Sequence, residues 1–223
     1  MGYKLNTWIL VNKYFKKTGL LIGDSLPIFE EKKEQEPYYG LEMLELGCQG
    51  LRRSLKKELS PNSPPNALKH IARKYFSSIG INCLSIDIKG CYESLKIDLR
   101  EPINSYFHNK FDIVTNAGTT EHIYPIKGQY EAFKNIHLCT KKGGIMIHFG
   151  PLYETTIEGH SPFYYKNSFF KNLAKLNNYK IIDIEVYMTD DKTTLVAACL
   201  KKINNKNFTT EKNKFFKYIH QFK

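Results

Sequence analysis

Residues 43–50 read MLELGCQG, an apolar run that carries one acid and then turns on glycine, cysteine, glutamine and glycine. Taken with its neighbours, GLEMLELGC has the near-continuous apolar character of a strand buried on both faces. A strand that ends in a Gly-rich corner is either the start of a nucleotide-binding loop or an ordinary turn. The octapeptide by itself fits both.

The chain beyond it settles the class of fold. INCLSIDI predicts a second strand, SLKIDL a short third, KFDIVTNAG a fourth and IMIHFG a fifth. Between the first two, LRRSLKKEL reads as a short helix broken by SPNSPP. A new helix then starts with Ser63 as cap and Pro64 at its first position. Leu68, Ile71, Ala72, Tyr75, Phe76 and Ile79 keep helical spacing along it. QYEAFKNIHLCTK predicts an amphipathic helix ended by Lys142-Gly143-Gly144 as glycine caps end helices. NSFFKNLAKLNN predicts a third helix. YKIIDIEVYM and TTLVAACLKK then form two strands joined by TDDK, a hairpin signal. Alternation of this kind predicts an α/β three-layer sandwich whose mostly parallel seven-stranded sheet ends in an antiparallel hairpin.

Residues 39–202 therefore form the expected domain. Residues 1–38 read as an N-terminal extension with a helix over Trp8, Ile9, Val11 and Phe15, followed by the charged run EEKKEQEP. Residues 203–223 read as a basic amphipathic tail, in which KFFKYIHQF spaces apolar residues as one helix does. That tail either docks on the domain or contacts membrane or RNA.

Composition excludes several classes. With 223 residues, 42% of them apolar, the chain can bury one ordinary core. No apolar run approaches the roughly 20 residues of a membrane span. The N-terminal stretch has no small-residue cleavage site, and Asn6 stands where a myristoylation signal expects Ser or Thr. Five cysteines without a CxxC pair argue against a zinc ribbon or a disulfide framework. They fit a reducing compartment, and a cytoplasmic location is expected.

The net charge of +11 raises a nucleic-acid partner. Only four arginines contribute, however, and arginine leads in phosphate and base recognition. Much of the excess lies in the lysines of the tail. RNA is therefore the alternative partner and a small molecule the first choice; oligomeric state is not legible.

In open α/β sheets ligands bind at the carboxyl ends of the strands. Those ends carry Glu45, Gly47, Gln49 and Gly50; Asp87 and Ile88; Asp98 and Leu99; Asn116, Ala117 and Gly118; and His148. The two oxygens of Asp87 suit a pair of ribose hydroxyls. Gly47 permits close approach of backbone to ligand. Asp98 suits the exocyclic amine of adenine, with the Leu99 N–H beside it, or is a plain turn acid before Arg100. Glu45 either orients the corner or reaches a ligand ammonium through water. A ligand with adenine, ribose and an amino-acid end but no pyrophosphate fits this set, and S-adenosylmethionine (SAM) has those parts.

On LELGCQG, LSIDI, SLKIDL, FDIVTNAGTTEHI and KKGGIMIHFGP, in that order, the chain resembles the class I, SAM-dependent methyltransferases. The resemblance covers about residues 40 to 202 and extends to the closing hairpin. It implies SAM as cofactor, bound by Glu45, Gly47, Gln49, Gly50, Asp87, Ile88, Asp98, Leu99 and Asn116 to Gly118. Two departures stand out. Of the glycines expected after the first, Gln49 and Leu51 occupy the places, with Gly50 a candidate substitute. Asp87 follows Gly47 at twice the usual spacing of about 20 residues, which marks the stretch near 51–66 as an insertion, either a surface loop or a lid.

Small-RNA 2′-O-methyltransferases carry Glu-x-x-Glu-His where this chain has Gly118, Thr119, Thr120, Glu121 and His122. The cluster is incomplete, so no metal is expected, and Glu121 is equally a first-turn acid. His148 is either a core histidine or a general base. His160, in the loop EGHSPFYY, is the second base candidate, with Tyr153, Tyr164 and Tyr165 as walls of an acceptor pocket or as cover for the sheet edge. Methyl transfer needs no enzyme nucleophile, so the absence of a catalytic triad is no objection. Besides an enzyme, a SAM-binding scaffold without turnover fits the altered glycine corner. A nicotinamide dehydrogenase does not, because the corner lacks GxGxxG.

Overall fold

A computed structural model of the chain describes residues 2–3, 5–19, 41–47, 50–51, 76–77, 80–90, 94–155, 161–189 and 193–222. The expected helices between residues 52 and 75, the TDDK turn at 190–192, Gln49 and His160 lie outside these residues.

Eleven strands are present among the described residues: β1 (Gly2–Tyr3), β2 (Glu42–Leu46), β3 (Gly50–Leu51), β4 (Asn82–Asp87), β5 (Leu95–Lys96), β6 (Phe111–Ala117), β7 (Thr140–Pro151), β8 (Phe163–Tyr165), β9 (Tyr179–Met188), β10 (Thr194–Lys202) and β11 (Ile219–Gln221). The helices are α1 (Leu5–Thr18), α2 (Ile126–Cys139), α3 (Phe169–Asn177) and α4 (Lys212–Phe216). Seven strands make one sheet in the order β5-β4-β2-β6-β7-β10-β9. The first five run parallel, and β10 lies antiparallel to both β7 and β9. This is the seven-stranded sandwich with an antiparallel ending that the sequence predicts.

Side-chain alternation along the strands builds two cores, one on each face. Leu44, Leu46, Ile86, Val114 and Met146 point to a layer formed by Tyr130, Phe133 and Ile136 of α2 and Phe169, Phe170 and Leu173 of α3. Met43, Cys83, Ile113, Ile147 and Cys199 point to the other, where α1 lays down Leu10, Val11, Tyr14 and Phe15. A fully buried side chain of this size contributes about 1.5–3 kcal/mol relative to an exposed one. The N-terminal helix is thus part of the sandwich. Lys13 and Lys17 pin it to the β9 edge through Glu185 at 2.8 Å and Asp183 at 2.5 Å.

Three expectations change. The helix before the fifth strand does not end on Lys142-Gly143-Gly144. It ends at Cys139, with Thr140 as its cap and the first residue of β7. The Thr140 hydroxyl donates to Ile136 O at 2.7 Å, and the two glycines lie in a register shift between β6 and β7. The tail is not one helix. It turns once as α4, burying Phe215, and then pairs β11 with β8, because a strand there satisfies the backbone of Phe163–Tyr165. For the same reason Tyr164 and Tyr165 are wholly buried and wall no open pocket.

Candidate functional site

The parallel strands β5, β4, β2 and β6 end side by side, and a cleft of about 710 Å³ opens over those ends. Its walls include Gly47, Asp87, Ile88, Asp98, Leu99 and Gly118. Ile86, Lys89, Ile97, Arg100, Thr119 and His122 to Tyr124 complete the described lining.

The corner after β2 is held by its neighbours. The Gly47 N–H donates to Ile86 O at 2.8 Å, which ties it to β4, and the Thr119 hydroxyl donates to Leu46 O at 2.7 Å, which ties it to the loop after β6. Gly47 and Gly118 both have positive φ, 73° and 75°. A side chain is strained in that conformation, so glycine at both turns lets two backbones face the cleft without a Cβ between them. Beneath them Glu45 is fully buried and accepts from the Ser85 hydroxyl at 2.7 Å across the β2–β4 pair. The acid therefore sits under the corner, on the α1 face, and is not on the cleft wall.

Asp87 closes β4. Its Oδ1 accepts from the Lys89 N–H at 2.7 Å and its carbonyl from Ile97 N–H at 3.1 Å, which fixes the carboxylate and ties it to β5. Among the described residues nothing bonds to Oδ2. Ile88 beside it is half exposed on the cleft wall. Asp98 is gripped by Arg100, whose Nη2 donates at 2.6 Å. That guanidinium holds the Asp98 carboxyl below the usual carboxylate range. Two carboxylates, Asp87 and Asp98, on a cleft wall that also carries Ile88, Ile97, Leu99 and Ile123 suit a flat base that bears a sugar diol and an amine.

The loop after β6 divides its residues. Gly118 and Thr119 face the cleft. Asn116 and Ala117 do not line it. The Asn116 amide donates to the Thr120 hydroxyl at 2.9 Å and lies 3.3 Å from Nδ1 of His148, its register partner on β7. The Tyr165 hydroxyl continues this buried network to Thr120 at 2.6 Å and Gln129 at 2.9 Å. Ala117 packs in the α1-side core.

His148 belongs to that network and not to the cleft. Its ring stacks on Phe170 at 5.1 Å, and burial pushes its pKa down to about 3. Gly50 pairs with Gly2 in the small β1–β3 sheet. Sequence reasoning did not single out the cleft residues Arg100, Ile123 and Tyr124, or His122 as a cleft residue. The apolar stripe through Ile97, Leu99 and Ile123 was the available signal.

Glu121 turns inward from the 3-10 turn Thr120–His122. It is buried, and burial raises its pKa to about 8. Its Oε1 lies 3.9 Å from His122 Nε2. No group of three metal-ligating side chains occurs among the described residues, and no described helix is long and apolar enough to cross a membrane.

No protein-family model matches the chain, and no curated protein matches it in sequence. Solved structures do match in fold. The 4+2 cyclase SpnF aligns with a TM-score of 0.52 at 11% identity, over 92% of this chain and 84% of its own. The 1,6-didemethyltoxoflavin-N1-methyltransferase of Burkholderia thailandensis, solved with S-adenosylhomocysteine, aligns with a TM-score of 0.48 at 11% identity, over 74% of this chain and 72% of its own. TehB from Haemophilus influenzae aligns with a TM-score of 0.49 at 14% identity, over 72% of this chain and 57% of its own. The likeness to SpnF shows the fold alone: a seven-stranded, mostly parallel sheet with an antiparallel ending.

Proposed function

We propose that this chain transfers a methyl group from SAM to a small-molecule acceptor. The observation that carries the reading is the convergence of Gly47, Asp87, Asp98 and Gly118 on one cleft at the ends of adjacent strands. Asp87 accepts from the ribose hydroxyls, Asp98 from the adenine amine, and the Gly47 and Gly118 corners face the methionine end. Glu45 supports the first corner from below. Ile88, Ile97, Leu99 and Ile123 cover the base and keep water from it.

A sulfonium methyl is already activated toward a lone pair, so the protein's work is to hold donor and acceptor in line. A hydroxyl or amine acceptor also sheds a proton. His122 is the one imidazole on the described cleft wall, and an imidazole nitrogen is a side-chain group able to take up that proton. His148 is enclosed by Asn116, Phe133 and Phe170, so it serves the fold instead.

The charge distribution favours a small acceptor over RNA. Lys89 and Arg100 are the cations on the described cleft wall, and Arg100 is spent on Asp98. A groove that tracks a phosphate backbone needs more free cations than this. An RNA substrate predicts instead a steep loss of affinity with salt.

Calorimetric titration of the whole chain with SAM, S-adenosylhomocysteine and NAD tests the reading. Micromolar binding of the first two and none of NAD is expected. Absence of binding by both adenosyl compounds contradicts it.

A further inference from the structure

We propose that Arg100 is a positioning residue for donor recognition: it presets the Asp98 carboxylate as an acceptor for the 6-amino group of adenine, and Gly128 makes room for it. The inference rests on the donor reading above and adds to it what selects the base.

Four contacts join the two residues. Arg100 Nε donates to Oδ1 at 3.0 Å and Oδ2 at 2.9 Å, Nη2 donates to Oδ2 at 2.6 Å, and the Arg100 backbone N–H donates to Oδ1 at 2.9 Å. The residues are only two apart and partly exposed, so the pair contributes little to folding. What a forked guanidinium does supply is direction: it locks a carboxylate in one orientation and keeps it ionised. An ionised carboxylate only accepts hydrogen bonds. A ring that offers an amine is welcomed there, and a ring that offers a carbonyl sets acceptor against acceptor.

The support for this fork comes from α2. A Cβ on Gly128 would stand 3.0 Å from Arg100 Cγ and 2.8 Å from Ile123 Cγ2. Both side chains line the cleft. The bare helix surface at Gly128 thus leaves room for both the Arg100 stem and the Ile123 side chain at the cleft wall, where any larger residue would displace them.

The test compares S-adenosylhomocysteine with its 6-oxo analogue, S-inosylhomocysteine, by calorimetry on the whole chain. Wild type is expected to prefer the amino compound by about 10-fold or more, the range of one hydrogen bond to a charged group. Arg100→Met keeps the stem on Gly128 and removes the fork; its preference is expected to shrink several-fold. Asp98→Asn should lose the preference, and the double variant should match Asp98→Asn alone, since Arg100 acts through Asp98. Arg100→Lys retains charge without the fork and should behave as the Met variant, which guards against a folding defect in either one. A wild-type preference retained in both Arg100 variants overturns the inference and leaves the donor reading standing. Equal wild-type binding of the two compounds also overturns it. Failure of wild type to bind either compound overturns both.

Discussion

The Thr119 hydroxyl donates to the carbonyl of Leu46 at 2.7 Å, so the loop after β6 is tied directly to the strand that precedes the Gly47 corner. With the Gly47 N–H bonded to Ile86 O, this links the ends of three neighbouring strands into one rim. Thr119→Val keeps the shape and deletes the donor. It is expected to lower stability by about 0.5–1.5 kcal/mol in denaturant unfolding and to weaken S-adenosylhomocysteine binding in calorimetry. Unchanged affinity would mean that the rim does not need this tie.

Burial of Glu121 makes stability depend on pH in a stated direction. The folded chain holds its proton to about pH 8, whereas the unfolded side chain releases it near the ordinary value of 4.5. A raised carboxyl pKa gives stability that is complete below 4.5 and is lost as pH rises towards 8, by at most about 1.4 kcal/mol per pH unit. His122, at 3.9 Å, and Tyr165, whose hydroxyl is pushed up chiefly by its own burial and further by Glu121, are its neighbours. Glu121→Gln should flatten the stability profile between pH 5 and 8. Parallel profiles for variant and wild type would contradict this.

The tail is a structural element. Phe215 is fully buried and meets Tyr130, Phe133, Phe169 and Phe208 edge-on at 5.6 to 6.1 Å between ring centres. Phe215→Ala is expected to cost about 3–5 kcal/mol, read from the denaturant midpoint. A cost under about 1 kcal/mol would show the tail to be loosely attached.

Much of this architecture was legible in the residues. The central parallel strands stand out because burial on both faces makes them apolar throughout, as in FDIVTNA and IMIHFG. Asp87 and Asp98 could be placed at strand ends because an acid closes an apolar run in each case. Asn116 and His148 show where strand ends mislead. Each shares a face with Val114 or Met146, and the period-two alternation directs both side chains under α2 and α3, away from the rim. Tyr164 and Tyr165 were ambiguous because their burial depends on β11, more than fifty residues later, a pairing that local pattern does not encode. Arg100 was missed because its role lies in a contact with Asp98 and in the space above Gly128, neither of which periodicity reveals.

The central claim is that three strand ends surround one nucleoside, with Asp87 on its ribose. Titration of S-adenosylhomocysteine against wild type and Asp87→Ala measures this directly. The account predicts that the variant binds about 2 kcal/mol more weakly, roughly 30-fold, as expected for lost hydrogen bonds to a charged acceptor. Equal affinity of the two proteins would contradict it.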